Sequence, residues 1–298
     1  MRVNPNQYSD MLSLLSTVTA SEQTTLKEMA SGSKINKPSD DPAGDAALIQ
    51  LQSAATANTQ YESNVSTLTS RLSTADSALS SVVTALQSAI SVGTEGATST
   101  VNASQRSSLA DEITSIKTEV MGLANTSYNG AYLFAGTATQ TKPYVADSSS
   151  SSGVTYKGNT TSDTVTIGEN QTITSTVSGS SIFAGGGNDI FAALNNLATA
   201  LSNNDTTAIA SANTALNTAY SSFVSARTAV GNTLSRLQTA STTLSDNATQ
   251  ITTSEDSISA ADMSVVATNL VQQETGRQAL LQSISKVSQK SLMDYLTT

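Results

Sequence analysis

Residues 209–258 read IASANTALNTAYSSFVSARTAVGNTLSRLQTASTTLSDNATQITTSEDSI, and eight apolar residues in that stretch recur every seventh position: Ile209, Leu216, Phe223, Val230, Leu237, Leu244, Ile251 and Ile258. No member of the series is missed. Three residues after successive members stand Ala212, Ala219, Ala226, Thr233 and Ala240, so the second row is small. A sustained heptad marks a helix that packs lengthwise against another, and a row of small side chains lets the partner approach closely. At 1.5 Å per residue such a helix is about 75 Å long. Alone it would leave its apolar row in water, so the chain must supply a partner of similar length.

That partner lies upstream. Leu51, Asn58, Val65, Leu72, Leu79 and Leu86 form one heptad row, and Ala54, Tyr61, Leu68, Ala75, Val82 and Ala89 form the other. Two helices of matching length separated by a third of the chain are expected to lie side by side. A turn is expected over Gly93 to Gly96, followed by a shorter helix carrying Leu109, Ile113, Ile116, Val120 and Leu123 and folding back along the second one. Between about Ala131 and Gly187 the helical period gives way to short apolar runs among Gly, Ser, Thr and Asn, such as Val154-Thr155-Tyr156 and Thr164-Val165-Thr166-Ile167. These predict a small strand-rich insertion, with 148–152 as a loop.

Both ends carry further stripes: Tyr8, Met11, Leu12, Leu15, Val18, Leu26 and Met29 at the start, and Met263, Val266, Leu270, Leu281, Ile284, Val287, Leu292 and Tyr295 at the end. They can pair as an extension of the helical rod. Val265, Leu280, Leu292 and Leu296 are expected off the main seam. Two helices with apolar surface to spare are marginal alone, so self-association is the expected remedy, and the listed stripes are the expected assembly interface. The predicted fold is therefore mainly α: a long antiparallel helical-bundle or coiled-coil rod formed by N- and C-terminal arms, with a small β-rich domain inserted in the middle. Its expected divisions are a terminal assembly domain (1–40 and 259–298), a helical rod domain (41–130 and 188–258) and an outer insertion (131–187).

Composition narrows function. The net charge is −9, charged residues make up 12% and aromatics 4%, and the chain has neither Cys nor His. No basic stripe exists to neutralise phosphates, which excludes nucleic acid and disfavours anionic membranes as partners. Without Cys there is no disulfide framework. Without His the usual general base, the triads built on it and most catalytic zinc sites are gone. The start of the chain lacks the pattern of a cleaved signal peptide, and no stretch reaches the roughly 20 apolar residues of a membrane span. No catalytic residue, cofactor site or metal site is predicted.

Residues 31–44 read SGSKINKPSDDPAG. Gly32 can end one helix, Pro38 forbids its continuation, and Asp40 or Asp41 can cap the next, with Pro42 in its first turn. This wording resembles the hinge of the flagellin superfamily. Several further segments resemble that superfamily's hook-associated, FlgL-like family: Met1-Arg2-Val3, the run Asn129 to Thr137 (NGAYLFAGT) with Pro143-Tyr144 after it, Tyr156-Lys157-Gly158-Asn159, and the ending Ser291 to Leu296 (SLMDYL). Arg227 to Gly231 and Ser254 to Met263 are similar to helix segments shared across the superfamily. Most of 145–187 matches nothing in it. Asn4-Pro5 departs from its usual Ser-Thr, and Pro5 implies that the first helix starts after it.

The resemblance implies a structural subunit of the bacterial flagellum joining hook to filament. It implies export by the flagellar type III apparatus without a cleaved signal and assembly as a homo-oligomeric ring between an adjacent hook-associated protein and flagellin. It also implies a flagellar export chaperone that masks the C-terminal stripe. The terminal stripes are expected to stay loosely ordered until neighbours cover them. Rival readings are a filament flagellin, a secreted adhesin whose insertion binds host surfaces, and a carboxylate-dependent hydrolase. Three smaller signals have plain explanations. Gly185 to Asp189 (GGGND) reads as a loop capping a helix from Ile190 rather than a calcium-binding repeat. The sequons at Asn64 and Asn159 are expected by chance in so Asn-, Ser- and Thr-rich a chain. The pairs Asp40/Asp41 and Glu255/Asp256 read as caps and solvated surface.

Overall fold

The computed structural model describes residues 7–185 and 188–296, with side chains from Tyr8 to Val287 within those limits. Among these the chain forms helices α1 (Gln7–Ser31), α2 (Pro42–Gly96) and α3 (Ala103–Ala124). Six short strands follow, β1 (Ser127–Tyr128), β2 (Ala131–Tyr132), β3 (Tyr144–Ala146), β4 (Val154–Tyr156), β5 (Thr164–Gly168) and β6 (Gln171–Thr174). Helices α4 (Gly179–Phe183), α5 (Ile190–Ser202), α6 (Thr206–Ser259) and α7 (Met263–Leu296) complete it. The expected class, long antiparallel helices with a small β-rich insertion, is what the structure contains. Two compact units divide it: residues 58–246, and the two end segments, Met1–Ala57 with Asn247–Thr298.

In the unit of residues 58–246, the heptad rows become the core. Ile209, Leu216, Phe223, Val230, Leu237 and Leu244 of α6 are buried, as are Val65, Leu68, Leu72, Ala75, Leu79, Val82, Leu86 and Ala89 of α2. Each Leu, Ile or Phe so buried contributes about 1.5–3 kcal/mol relative to exposure. Polar contacts fix the direction of the pair. Asn58 Nδ2 donates to Leu244 O (3.0 Å), Arg227 clasps Asp76 (Nε–Oδ1 2.8 Å, Nη2–Oδ2 3.2 Å), Gln87 Nε2 donates to Tyr220 Oη (2.9 Å) and Asn213 Nδ2 to Thr94 Oγ1 (3.1 Å). Rising numbers on α2 meet falling numbers on α6, so the helices are antiparallel. Asn58, at an apolar position of its row, is buried and uses its amide on the facing carbonyl. A single polar residue placed this way fixes register.

Ser and Thr are poor helix formers because their hydroxyls compete for backbone groups. Here many turn that competition inward: Thr74, Thr218, Thr228 and Thr243, among others, donate to the carbonyl four residues back. Their hydroxyls are thereby satisfied without leaving the helix, and the buried rows decide the conformation.

The structure corrects the turn expected at Gly93 to Gly96. Helix α2 continues through Gly93 and ends at Gly96 because both glycines are contact points. A Cβ on Gly93 would lie 2.7 Å from Asn213 Oδ1 and 3.1 Å from Leu197 Cδ2, and one on Gly96 would overlap Leu201 Cδ2. The turn follows, and Asn102 opens α3 with a reciprocal capping box to Gln105. Helix α3 folds back as expected, but it lies closest against α5. At the break of 203–205 that separates α5 from α6, Asn204 takes φ 55° and Asp205 Oδ1 accepts from Thr207 N (3.0 Å) and Ala208 N (3.0 Å), capping α6. Arg106 gathers these ends. Buried to 5% exposure, it donates from Nε to Gly96 O (2.8 Å), from Nη2 to Thr98 O (2.7 Å) and from Nη1 to Asn204 Oδ1 (2.6 Å). A cation among carbonyls at a helix C-terminus meets the negative end of the helix dipole.

The insertion consists of three antiparallel pairs, β1–β2, β3–β4 and β5–β6. Asn129 (φ 50°) and Gly130 (φ 78°) supply the two left-handed residues of the tight β1–β2 turn. An aromatic cluster joins the insertion to the helices: Phe183 lies 5.5 Å from Phe134, 5.4 Å from Tyr144, 5.9 Å from Phe191 and 5.5 Å from Phe223, centroid to centroid. The loop of 148–152 is ordered by Asp147. Its carboxylate accepts from Ser149 Oγ (2.6 Å), from Ser149 N (3.0 Å) and from the Thr155 hydroxyl. Lys117 Nζ (to Asn195 Oδ1, 2.8 Å) and Asn195 Nδ2 (to Ser151 O, 3.0 Å) hold the same loop against α3 and α5.

Two outcomes test this description. Replacing Arg106 by Met removes the donor of the buried Gly96 carbonyl and the part-buried Thr98 carbonyl and is expected to cost about 2–4 kcal/mol in urea denaturation, with Lys failing to restore it because an ammonium cannot span three acceptors in one plane. Hydrogen bonds from Ser149, then Thr155, hold the Asp147 carboxyl down at about 2. A depressed carboxyl stabilises the fold above its unfolded pKa and ceases to as pH falls through the folded one. Loop order is therefore expected to persist at pH 4 and to fade near pH 2, read as the midpoint of the Asp147 carboxyl-carbon NMR titration.

Candidate assembly surface

The unit formed by the end segments is built on the hinge of residues 31–44. Gly32 takes φ +70° and ends α1 by donating its N–H to Glu28 O (2.8 Å). The strand-like segment after it crosses the α6–α7 connection: Ser33 and Ala260 form an antiparallel bridge, Lys34 N donates to Ser259 O (2.7 Å), and Ala261 N donates to Gly32 O (2.9 Å). The two acidic residues divide the remaining work. Asp40 Oδ2 accepts from Asn36 N (3.1 Å) and Lys37 N (2.9 Å), closing the loop. Asp41 Oδ1 accepts from Ala43 N (3.1 Å) and Gly44 N (3.0 Å), capping α2 behind Pro42. Gly44 is buried because Ile35 rests on it, and a Cβ there would lie 2.7 Å from Ile35 Cδ1. In this joint Asp40 and Asp41 act as structural acceptors. Asp262 caps α7 in the same way, accepting from Ser264 N (2.9 Å) and Val265 N (3.3 Å).

From this joint α1 and α7 run antiparallel. Gln273 Nε2 donates to Ser21 Oγ (2.9 Å), and Arg277 Nε lies 2.9 Å from Glu22 Oε2. The latter is an ion pair by distance whose N–H is not aimed at the oxygen, and Gln273 Oε1 is buried without a partner. The seam is thus polar at its centre. On α1 the less exposed positions are Met11, Leu15, Val18, Glu22 and the buried Thr25. On α7 they are Val266, Leu270, Gln273, Arg277, Leu280, Ile284 and Val287. Both alternate steps of four and three, the coiled-coil spacing.

The residues expected at an interface fall into two groups. Met11, Leu15, Val18, Leu270, Ile284 and Val287 are half-buried and Val266 is buried, whereas Tyr8 (49% exposed), Leu12 (43%), Leu26 (46%), Met29 (45%), Met263 (46%) and Leu281 (46%) face outward. The side chains of Leu292 and Tyr295 lie outside the described residues, as do residues 1–6 with Pro5. One assignment is reversed. Leu280, expected off the seam, is half-buried within it, while Leu281 is exposed, because Gln273 and Arg277 are seam positions that an apolar stripe passes over. Leu14 (51% exposed) and Val271 (62%) are outward apolar residues absent from the expected stripes.

Tyr8 and Met29 continue the heptad position that Leu15 and Glu22 occupy in the α1 seam but are exposed, and Leu12 and Leu26 share a further position with the half-buried Thr19. On α7, Met263 continues the position of Leu270, Arg277 and Ile284 but is exposed, and Leu281 stands beside the seam. A shallow groove along α1 is lined by Leu12, Leu15, Ser16, Thr19, Ala20 and Gln23.

Other candidate sites are engaged in structure. Asn64 Nδ2 donates to Thr166 O (2.8 Å), and Asn159 both donates to Thr137 Oγ1 (2.6 Å) and accepts from Thr137 N (2.9 Å), so both sequon amides hold the fold. Asp189 caps α5 through Phe191 N (2.8 Å) and Ala192 N (3.2 Å), as the capping-loop reading expects; residues 186 and 187 lie outside the described ones. Among the described residues no group of three or more acidic, His or Cys side chains is placed to hold a metal ion, and no helix is long and apolar enough to cross a membrane.

Long paired helices joined by a capped hinge are the features to set beside known proteins. The family model of the bacterial flagellin N-terminal helical region matches residues 3–139. Flagellar hook-associated protein 3 of Escherichia coli (strain K12) is 28% identical over 119 residues, which is 40% of this chain and 38% of that protein. Its counterpart in Salmonella typhimurium is 28% identical over 134 residues, 44% of this chain and 42% of that one. The aligned sequence therefore spans about two fifths of the curated relatives it matches. The fold is also that of a flagellar hook-associated protein from Vibrio parahaemolyticus, with a TM-score of 0.67 at 23% identity over 74% of this chain and 100% of that one. The chain is thus similar in part of its sequence, and in its fold, to flagellar hook-associated proteins, the resemblance that the hinge and the segments after α3 carry.

The joint makes a contrast that can be measured. Gly44→Val must displace Ile35 and is expected to lose about 1–3 kcal/mol and the exchange protection of Lys34. Gly231 of α6 has nothing within 4 Å of a Cβ, so Gly231→Ala is expected to gain about 0.5–1 kcal/mol in the same denaturation assay.

Proposed function

We propose that the protein is a structural subunit of the flagellar hook–filament junction, exported by the flagellar type III apparatus and assembled as a ring between an adjacent hook-associated protein and flagellin. What supports this reading is the sequence shared with hook-associated protein 3, together with the exposed apolar side chains of α1 and α7. One observation carries the assembly mechanism: Tyr8, Leu12, Leu26, Met29, Met263 and Leu281 are left exposed on a two-helix pair with a polar centre. Such a pair gains little from its own seam and has exposed apolar side chains for neighbouring subunits to cover, so ordering of the terminal segment and assembly are coupled. Residues 1–40 and 259–298 form the assembly segment in this reading. An export chaperone that covers the exposed apolar side chains of α7 before secretion serves the same physical need.

The test separates assembly from folding. Leu12→Asp and Leu281→Asp are expected to leave the melting of the α2–α6 core within about 2 °C of the parent, since both side chains are exposed, and to abolish incorporation into flagella. Cells carrying either variant should shed unpolymerised flagellin. Normal filaments in both strains would reject the assembly role of these side chains. Labelled parent protein found along the whole filament, instead of at its base, would favour the filament-flagellin reading. Amide exchange adds a second check: α1 and α7 of the soluble monomer should exchange faster than 209–244, and equal protection would remove the coupling of order to assembly.

A further inference from the structure

Tyr144, noted in the sequence beside Pro143, is 4% exposed, and its hydroxyl is fully buried with no hydrogen-bond partner. Its ring is held at 5.1 Å from Tyr156, 5.4 Å from Phe183 and 5.0 Å from Phe191. Gly179 leaves room for the hydroxyl, which would lie 3.0 Å from a Cβ there. The phenol is therefore fixed on every side. A buried hydroxyl without a partner forfeits its bonds to water and is rare in native proteins.

Beside it is a cavity of about 60 Å³, bordered by Tyr144, Ser152, Ser180, Asp189, Phe183 and Phe191 among others. The polar groups on its wall already have some bonds. Ser152 Oγ donates to Val154 O (2.8 Å) and accepts from Ser150 Oγ (3.0 Å) and Val154 N (3.4 Å), so it is fully engaged. Ser180 Oγ pairs with Ser178 Oγ (2.8 Å), and Asp189 takes both cap bonds on Oδ1. Ser180 keeps acceptor capacity, and Asp189 keeps Oδ2 clear of the cap. Burial, then the neighbouring Tyr156 and Asp189, push the Tyr144 hydroxyl far above the ordinary tyrosine range, so it stays a donor. A water needs two to four polar partners and occupies about 30 Å³ in the liquid. The cavity supplies a committed donor, the Ser180 hydroxyl, a carboxylate oxygen and room for water.

We infer that this cavity is an internal hydration site in which ordered water accepts from Tyr144 Oη and links it to Asp189 and the Ser180 hydroxyl, joining the β3–β4 hairpin to the start of α5. Water completes the one polar group that the aromatic cluster encloses. The role of the phenol, as against a phenyl ring of the same shape, is to bind it.

A crystal structure of the full chain at better than about 1.5 Å, paired with Tyr144→Phe, tests this. Density for a water about 2.6–3.0 Å from Tyr144 Oη is expected, together with a melting midpoint about 2–4 °C lower in the variant. A dry cavity, a cation at shorter oxygen distances, or a hydroxyl bonded directly to a protein acceptor would overturn the inference. So would a Phe variant as stable as the parent or more so. Neither result bears on the flagellar reading, which rests on the terminal helices.

Discussion

The burial of two heptad rows against each other is the condition on which the rest of the core unit depends. Leu216, Phe223, Leu237 and their neighbours on α6 have no other means of leaving water, and the row on α2 from Val65 to Leu86 faces the same choice. Once these rows meet, the polar cross-links acquire defined geometry: Asn58 finds Leu244 O, Arg227 finds Asp76, and Gln87 finds Tyr220. The exposed ion pair contributes at most about 1 kcal/mol. Apolar burial therefore supplies the stability, and the polar links specify one alignment of it.

The same sequence logic produces a different outcome at the chain's ends. The α1–α7 seam keeps the four-three spacing but places Ser21, Glu22, Gln273 and Arg277 at its middle, with Gln273 Oε1 and the misaligned Arg277 Nε incompletely satisfied. Partly satisfied polar groups in a seam lower its stability. Other apolar side chains of the same two helices, among them Leu12, Leu26 and Leu281, remain exposed. The proposed assembly role rests on this combination of a polar seam and exposed apolar side chains.

Period, where it was apolar, was legible. Every seventh residue from Ile209 to Leu244 is buried as its spacing requires, and the strands at 154–156 and 164–168 follow from their β-branched runs. The hinge was equally readable, because Gly32, Asp41 and Pro42 do there what those residue types do at helix ends. What escaped was decided by contacts between distant segments. Gly93 and Gly96 look like turn residues until Leu197 and Leu201 are seen against them. Arg106 is one of 14 basic residues, and nothing nearby in sequence shows that it will be buried against the ends of two other helices. Leu280 and Leu281 were exchanged because polar seam members hide the phase of a helix from any reading based on apolar residues. Of the expected interface, the outward half is recognisable only once the seam itself is known.

The hydroxyls bonded back to their own helices have an environmental consequence. Much of the exterior of the long helices is neutral Ser and Thr, only 12% of residues are charged, and among the described residues just two ion pairs are found. Dissolved salt acts on proteins largely by screening charges on their surfaces. A surface that meets water largely through uncharged alcohol groups offers dissolved salt fewer charge pairs to screen.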